Sequence, residues 1–149
     1  MTNPPNTARS FFYPNKMRRI ILNEMKKLAE PGDYTQLLTI AGLTAYERHP
    51  PSIDLDLEFP FEAVSALQAA AESLYGTEAG QKFNLHAGRA CLEGGLREFN
   101  PLLGIADLPV RMMPLGLKLH LGFDMLAMVF NRFTDQVVTL REDEKAYYW

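Results

Sequence analysis

The side chains with the most chemical potential in this sequence crowd one segment, "LHAGRACLEGGLREF" (85–99). His86, Arg89 and Cys91 fall within six residues there. A thiol beside cations would have a depressed pKa and could act as a nucleophile. A helix argues against that reading. Cys91 lies two residues past Arg89, about 200° round the helix, and so faces the core. The spacing favours an ordinary buried cysteine. Lys82, His86, Arg89, Glu93 and Arg97 instead recur at helical spacing, as a solvated stripe does. Arg89–Glu93 and Glu93–Arg97 stand at i,i+4, where opposite charges support a helix.

A second cluster is acidic. Asp54, Asp56 and Glu58 alternate with Ile53, Leu55, Leu57 and Phe59 in "IDLDLEF". Three carboxylates on one side of an extended segment could hold a hard cation. The glycine and further ligands of a calcium loop are missing, so an exposed acidic edge that blocks strand pairing is the better reading. His49, His86 and His120 have no metal-ligand spacing. One cysteine excludes an internal disulfide and a cysteine-based zinc site. No nucleophile elbow, P-loop or dinucleotide fingerprint occurs. No residue is therefore assigned a catalytic or metal-binding role.

The elements that position these groups follow from periodicity. Residues 1–10 read as a loose tail, and 11–149 as one domain. A helix opens near Pro14, carries Met17, Ile20, Ile21, Met25 and Leu28 on one face, and stops at Pro31-Gly32. Its Lys16, Arg18, Arg19, Lys26 and Lys27 would also suit a membrane surface, but the apolar stripe is narrow and favours packing on the domain. A second helix runs from Asp33 as N-cap to about Tyr46. "IDLDLEF" reads as a short strand or extended segment. Pro60 opens a third helix to about 75, ended by Gly76.

The fourth helix, 78–99, carries Leu85, Leu92, Leu96 and Phe99 on one flank and Phe83, Ala87, Ala90, Cys91 and Gly94 on the other. It should be buried on most sides and wet along one line. Gly88, Gly94 and Gly95 each cost about 1 kcal/mol in a helix, so a neighbouring element or a ligand should approach closely there. Beyond Pro101, a short helix at Asp107-Leu108-Pro109 would carry Val110, Met112 and Met113. "LGLKLHLGFDMLAMVFNRF" reads as one helix, although Leu115, Leu117, Leu119 and Leu121 alternate as a strand would. A hairpin closes the sequence: strand 137–140, turn 141–144, strand 145–149. A hairpin alone is marginal in water, so the faces of Tyr147, Tyr148 and Trp149 need a partner surface.

Composition sets the outer bounds. The 149 residues are 47% hydrophobic and 22% charged, ordinary for a globular domain with a sizeable core. A net charge of -3 argues against a general nucleic-acid binder. "MTNPPNTARS" has no apolar signal-peptide core, which points to the cytoplasm. Met112, Met113, Met125 and Met128 add adaptable apolar surface to a C-terminal half already rich in it.

Four stretches carry a resemblance: "FYPNKMRRIIL" (12–22), "DLDLEFPFEAVSALQ" (54–68), "LHAGRACLEGGLREF" (85–99) and "VFNRFTDQVV" (129–138). Together the chain resembles the 4-vinyl reductase domain family, whose members are often labelled hydrocarbon-binding proteins and whose name comes from bacteriochlorophyll synthesis. The resemblance implies an α/β (α+β) fold. A helical layer packs on an antiparallel sheet, as in transport protein particle subunits and haem-dependent nitric oxide sensing domains. In this chain it would be mostly helical with a C-terminal hairpin. Longer members continue into more sheet and a cysteine-rich segment without counterpart here. The resemblance therefore implies a C-terminally incomplete domain, or one completed by strands from a partner.

The expected function is a non-catalytic module for an apolar small molecule: a tetrapyrrole, an isoprenoid or an acyl chain. Phe83, Ala87, Cys91, Met112, Leu117, Leu121 and Met128 are the candidate lining residues, with core packing as the alternative for each. An enzyme or enzyme partner acting on a vinyl group is a second reading, and it would need a nicotinamide or flavin from elsewhere. A homodimer built on the small residues Ala87, Gly88, Gly94 and Gly95 is a third.

Overall fold

The computed structural model describes residues 10–49, 51–103, 114–143 and 146–148, with the backbone alone at 100–103 and 147. The expected helix at 107–113, with Val110, Met112 and Met113, lies outside these residues. So do most of the N-terminal tail and Trp149. The described residues are mostly helical, 69%, with small antiparallel sheets.

The first elements form one unit. Strand β1 (Phe12–Pro14) runs straight into helix α1 (Asn15–Leu28). Next come α2 (Asp33–Ile40), the single turn α3 (Ala45–Arg48) and strand β2 (Leu57–Pro60). β1 and β2 pair antiparallel, with Tyr13 opposite Phe59 and an irregularity between Tyr13 and Pro14. The pairing does not stop where the helix begins. Asn15 donates its backbone N–H to the Asp56 carbonyl and Lys16 donates to the Asp54 carbonyl, both at 2.9 Å. The first N–H groups of a helix have no partner inside it. Here the extended acidic segment supplies two.

The carboxylates of that segment join in. Asn15 is 2% exposed, and its Nδ2 donates to Asp54 Oδ1 at 2.8 Å and to Glu58 Oε2 at 2.9 Å. Negative charge is favourable at a helix N-terminus. The acidic edge thus has a structural task. The alternation of "IDLDLEF" does not mark a buried face, since Ile53, Leu55 and Leu57 are all exposed and only Phe59 is buried. The strand is accordingly shorter than the pattern suggested.

α2 is also shorter than expected. Gly32, at φ 94°, holds the N-cap position, and Asp33 is the first helical residue. At the other end Leu43 donates to the Leu38 carbonyl at 2.7 Å and Gly42 to Thr39 at 3.1 Å. Those two bonds, with Gly42 at φ 71°, form a Schellman stop. The helical spacing of Leu43 continues the pattern, but the left-handed glycine ends the helix.

α4 (Phe61–Tyr75) starts at Pro60 and ends at Gly76, and α5 (Thr77–Leu103) follows at once. α1, α2, α4 and α5 share the main core: Ile21, Leu22 and Met25, Leu38, Leu67 and Ala87, with Phe59 from β2. α5 makes its closest approaches through small residues spaced by seven, Gly80, Ala87 and Gly94, all buried. A Cβ on Gly80 would stand 2.4 Å from the Glu72 Cα on α4. A Cβ on Gly94 would stand 3.0 Å from Ile20 Cγ2 on α1. Gly88, by contrast, has nothing within 4 Å of a Cβ. The close approach expected at the glycines therefore holds at Gly94 and not at Gly88. Leu85 and Leu92 are 55% and 45% exposed, so α5 is covered on one side only. Arg97 reaches across to Glu24 on α1, at 3.9 Å.

α6 (Leu115–Phe133) is the helix expected over that segment. It rests on the rest of the chain through its C-terminal half, where Phe133 packs with Ile20 and Phe99. Phe130 meets Tyr13 and Phe61 edge-on, and those two rings stack at 3.9 Å. Asp135 Oδ1 accepts the Phe12 N–H at 2.8 Å. The terminal hairpin is displaced along the chain: β3 (Arg141–Glu142) pairs antiparallel with β4 (Tyr147–Tyr148). Residues 137–140 are not a strand. The Asn131 side chain takes both backbone groups of Val138, at 2.7 and 2.8 Å, in place of a neighbouring strand. The two ribbons do not merge into the single sheet that was expected.

Two stability predictions follow from these contacts. Gly80→Ala should destabilise by about 1–3 kcal/mol because backbone cannot yield, while Gly88→Ala should stabilise by about 0.5–1 kcal/mol. Urea unfolding of both variants reads the contrast, and similar signs would refute the crossing. The second concerns pH. Hydrogen bonds from Ser52, then Asn15, hold the Asp54 carboxyl below its usual range. A depressed folded pKa contributes stability that is complete above the unfolded value, near 4, and fades as pH falls through the folded one. Asp54→Asn should therefore flatten the loss of stability on acidification, and an unchanged acid limb would exclude the Asp54 carboxylate from the cap.

Candidate functional site

Two apolar clefts flank a shared partition of Tyr13, Met17 and Cys91. The outer cleft, about 100 Å³, lies between α5 and α6. Leu92, Leu96 and Phe99 form its α5 wall, and Leu126, Val129, Phe130 and Phe133 its α6 wall. Gly95 lies on the same α5 wall, where a Cβ would come only within 4.0 Å of Met17 Sδ. The inner cleft, about 170 Å³, lies among α1, α4 and α5. Ile21 and Met25, Val64 and Leu67, and Ala87 and Gly88 supply its apolar walls, and Gln68 and Asn84 its polar ones.

The sequence candidates fall in different places. Cys91 borders both clefts and Ala87 the inner one. Phe83 lies on the same α5 face, where its ring meets Tyr75 at 5.2 Å and packs on the core rather than on either cleft. Met112 lies outside the described residues. Leu117 and Met128 are 46% and 47% exposed, and Leu121 is half-buried away from both clefts. Helix geometry explains the last three. The α6 wall is 126, 129, 130 and 133, one stripe at helical spacing. Relative to Leu126, Leu117 and Met128 are turned by about 160–180° and Leu121 by about 140°. Counting from the docked C-terminal phenylalanines would have picked the stripe. Tyr13 and Met17 carried no comparable signal, because only the β1–α1 junction brings them here.

Among the described residues, no lysine, arginine or histidine lines either cleft. Burial raises the Tyr13 hydroxyl above its ordinary pKa, and Cys91 adds to the shift. Burial, with Glu24 as a smaller cause, pushes the Cys91 thiol up to about 11. Neither group ionises near neutral pH, so neither serves as a general base or thiolate nucleophile there. The cations of the Lys82-to-Arg97 stripe do not rescue the thiol, since His86 and Arg89 are exposed on the far side.

Elsewhere His120 on α6 sits between carboxylates, with Nδ1 3.0 Å from Glu142 and Nε2 3.3 Å from Asp124. That contact ties the hairpin to α6. Among the described residues no group of histidine, cysteine and carboxylate side chains is arranged to hold a metal ion, and no helix is long and apolar enough to cross a membrane. The apolar face of α1 lies within the domain, through Ile20, Ile21, Leu22 and Met25.

Comparison with known proteins finds no matching family model, no matching curated protein and no matching solved structure.

The Cys91 environment gives a direct test. At pH 8 its thiolate population should be on the order of a hundredfold below that of an unperturbed cysteine. Iodoacetamide labelling of the folded protein, followed by mass spectrometry from pH 7 to 11, should be slow until the top of that range. Rapid labelling at pH 8 would mean an activated thiol.

Proposed function

We propose that this chain is a non-catalytic binding module for a slim apolar molecule, with the α5–α6 cleft as its entrance. The observation that carries the reading is the cleft's lining: leucine, valine, phenylalanine and methionine from three elements converge on open space. Globular interiors close-pack such side chains to near-crystalline density. Space left among them suits an apolar guest. The size narrows the guest. A cavity of about 150 Å³ takes a benzene-sized molecule, whereas drug-sized sites begin at about 300 Å³. An acyl or isoprenoid chain fits this scale, and a tetrapyrrole does not. Met17 stands between the clefts, and its unbranched side chain can turn aside so that one chain occupies both.

The proposal accords with the hydrocarbon-binding label of the 4-vinyl reductase domain family that the sequence resembles. It also accords with that family's relation to transport protein particle subunits. A second reading, self-association, rests on a separate observation: Leu85 and Leu92 on α5 and Leu115, Leu117 and Leu119 on α6 are exposed.

Native mass spectrometry on protein isolated from its own cells tests both. A bound apolar mass supports the module, and a bare protein at dimer mass supports self-association. The variant Gly95→Leu fills the outer cleft at a helical position where a side chain has room. It should lower the affinity for a bound chain at least tenfold and leave the fold intact. Unchanged binding would remove the cleft from the site.

A further inference from the structure

The two helices that bound the outer cleft carry one pattern. Leu85, His86, Gly88, Leu92 and Phe99 of α5 recur 34 residues on as Leu119, His120, Gly122, Leu126 and Phe133 of α6. In each helix the large apolar members stand seven apart, with a glycine three residues past the first leucine. A seven-residue apolar repeat is the seam by which two helices pack knobs into holes. The structure engages one end of that seam. Phe99 and Phe133 pack at 5.0 Å, whereas Leu85, Leu92 and Leu119 are exposed.

The cleft gives the direction of the helices. Leu92 and Leu126 each stand seven residues before the phenylalanine pair, about 10 Å along their own helix. Both border one cleft of about 100 Å³. Antiparallel helices joined at Phe99 and Phe133 would hold those leucines roughly 20 Å apart. The helices therefore leave the phenylalanine contact in the same sense. Leu92 stands level with Leu126, Gly88 with Gly122 and Leu85 with Leu119. Leu119 lies within about 20° of Leu126 round α6, and Leu85 within about 20° of Leu92 round α5, so both exposed rows continue the cleft walls. The glycines are the second observation. Glycine is costly in a helix interior and commonly marks a close backbone approach. Yet a Cβ on Gly88 or Gly122 would meet nothing within 4 Å. A closed seam sets the two glycines face to face between leucine levels and accounts for both.

We propose that α6 is a clamp, seen here open. It swings about its anchored C-terminal end and closes on α5, Leu119 against Leu85 and Gly122 against Gly88, over an apolar chain held in the cleft. The occupant of the exposed α5 row is α6 of the same chain, because the Phe99–Phe133 contact already sets the register and gives α6 a high effective concentration there. The inference rests on the binding-module reading for what is enclosed, and adds how it is retained.

Paired cysteines test the closure: Leu85→Cys with Leu119→Cys, against Leu85→Cys with Leu117→Cys. All three positions are exposed, and Leu117 is two residues from Leu119 but on the opposite side of α6. A disulfide needs Cα atoms about 4.4–6.8 Å apart, a separation that facing positions of a closed seam reach and Leu117 does not. With oxidised glutathione, the first pair should form an intrachain bond roughly tenfold faster than the second, mapped apart from Cys91 by tryptic mass spectrometry. Equal rates overturn the clamp. A bond formed mainly between chains also overturns it and assigns the seam to a second copy. Retention is read by loading N-phenyl-1-naphthylamine before oxidation. The oxidised 85–119 protein should release it roughly tenfold more slowly than the same protein reduced, and unchanged release overturns closure over a guest. Failure of the reduced protein to take up the probe overturns the binding module, while the cross-linking rates still decide whether α6 closes.

Discussion

The constraint on which the rest of this structure depends is the unsatisfied start of α1. A helix that begins directly from a strand through Pro14 has no capping side chain, and its first N–H groups need acceptors. The carbonyls of Asp54 and Asp56 provide them from a segment distant in the chain, and Asp54 and Glu58 hold the Asn15 amide. One consequence is registration. Fixing α1 against the extended segment fixes Tyr13 opposite Phe59, and so sets where Tyr13 and Met17 stand. Those two side chains then stand between the two clefts.

α5 is the second fixed object. Its buried Gly80, Ala87 and Gly94 let the α4 and α1 backbones come close, which draws Cys91 and Met17 together behind that crossing. The crossing consumes the small residues within the chain. Gly94 lies against Ile20, so that position is not free for a second copy. What α5 leaves open is the other flank, Leu85 and Leu92, and α6 meets it only partly. α6 is held at one end, by Phe130 and Phe133, with Asp135 fastened to Phe12. A helix anchored at one end against a wall of leucines leaves a cleft, where two fully docked helices would leave a seam.

This arrangement accounts for the chemical quietness of the interior. The only thiol is half-buried, with its cationic neighbours in sequence on the opposite side of the helix. Among the described residues, Asn15 Oδ1, Arg18 Nε and Asn84 Oδ1 are buried without a hydrogen-bond partner.

The sequence by itself determined the local elements. Proline and glycine placed the start of α1 and both ends of α4, and apolar spacing placed the lengths of α1, α4 and α6, whereas α5, expected over 78–99, runs from Thr77 through Pro101 to Leu103. These are contacts within a few residues, and type and spacing specify them. It also placed Cys91 away from the cationic stripe, since a helix rotates by about 100° per residue whatever surrounds it. Tertiary structure decided the rest. The alternation of "IDLDLEF" read as a short strand or extended segment with an exposed acidic edge, yet its carbonyls and carboxylates serve as a helix cap. Val138 looked like strand, yet its backbone is paired by the side chain of Asn131. Leu117, Leu121 and Met128 looked as eligible as Leu126 and Val129, and the docking of Phe133 on Phe99 and Ile20 chose between the two faces of α6. Periodicity reports that a face is apolar. Which apolar face meets which neighbour depends on partners far apart in the chain, and no local pattern records them.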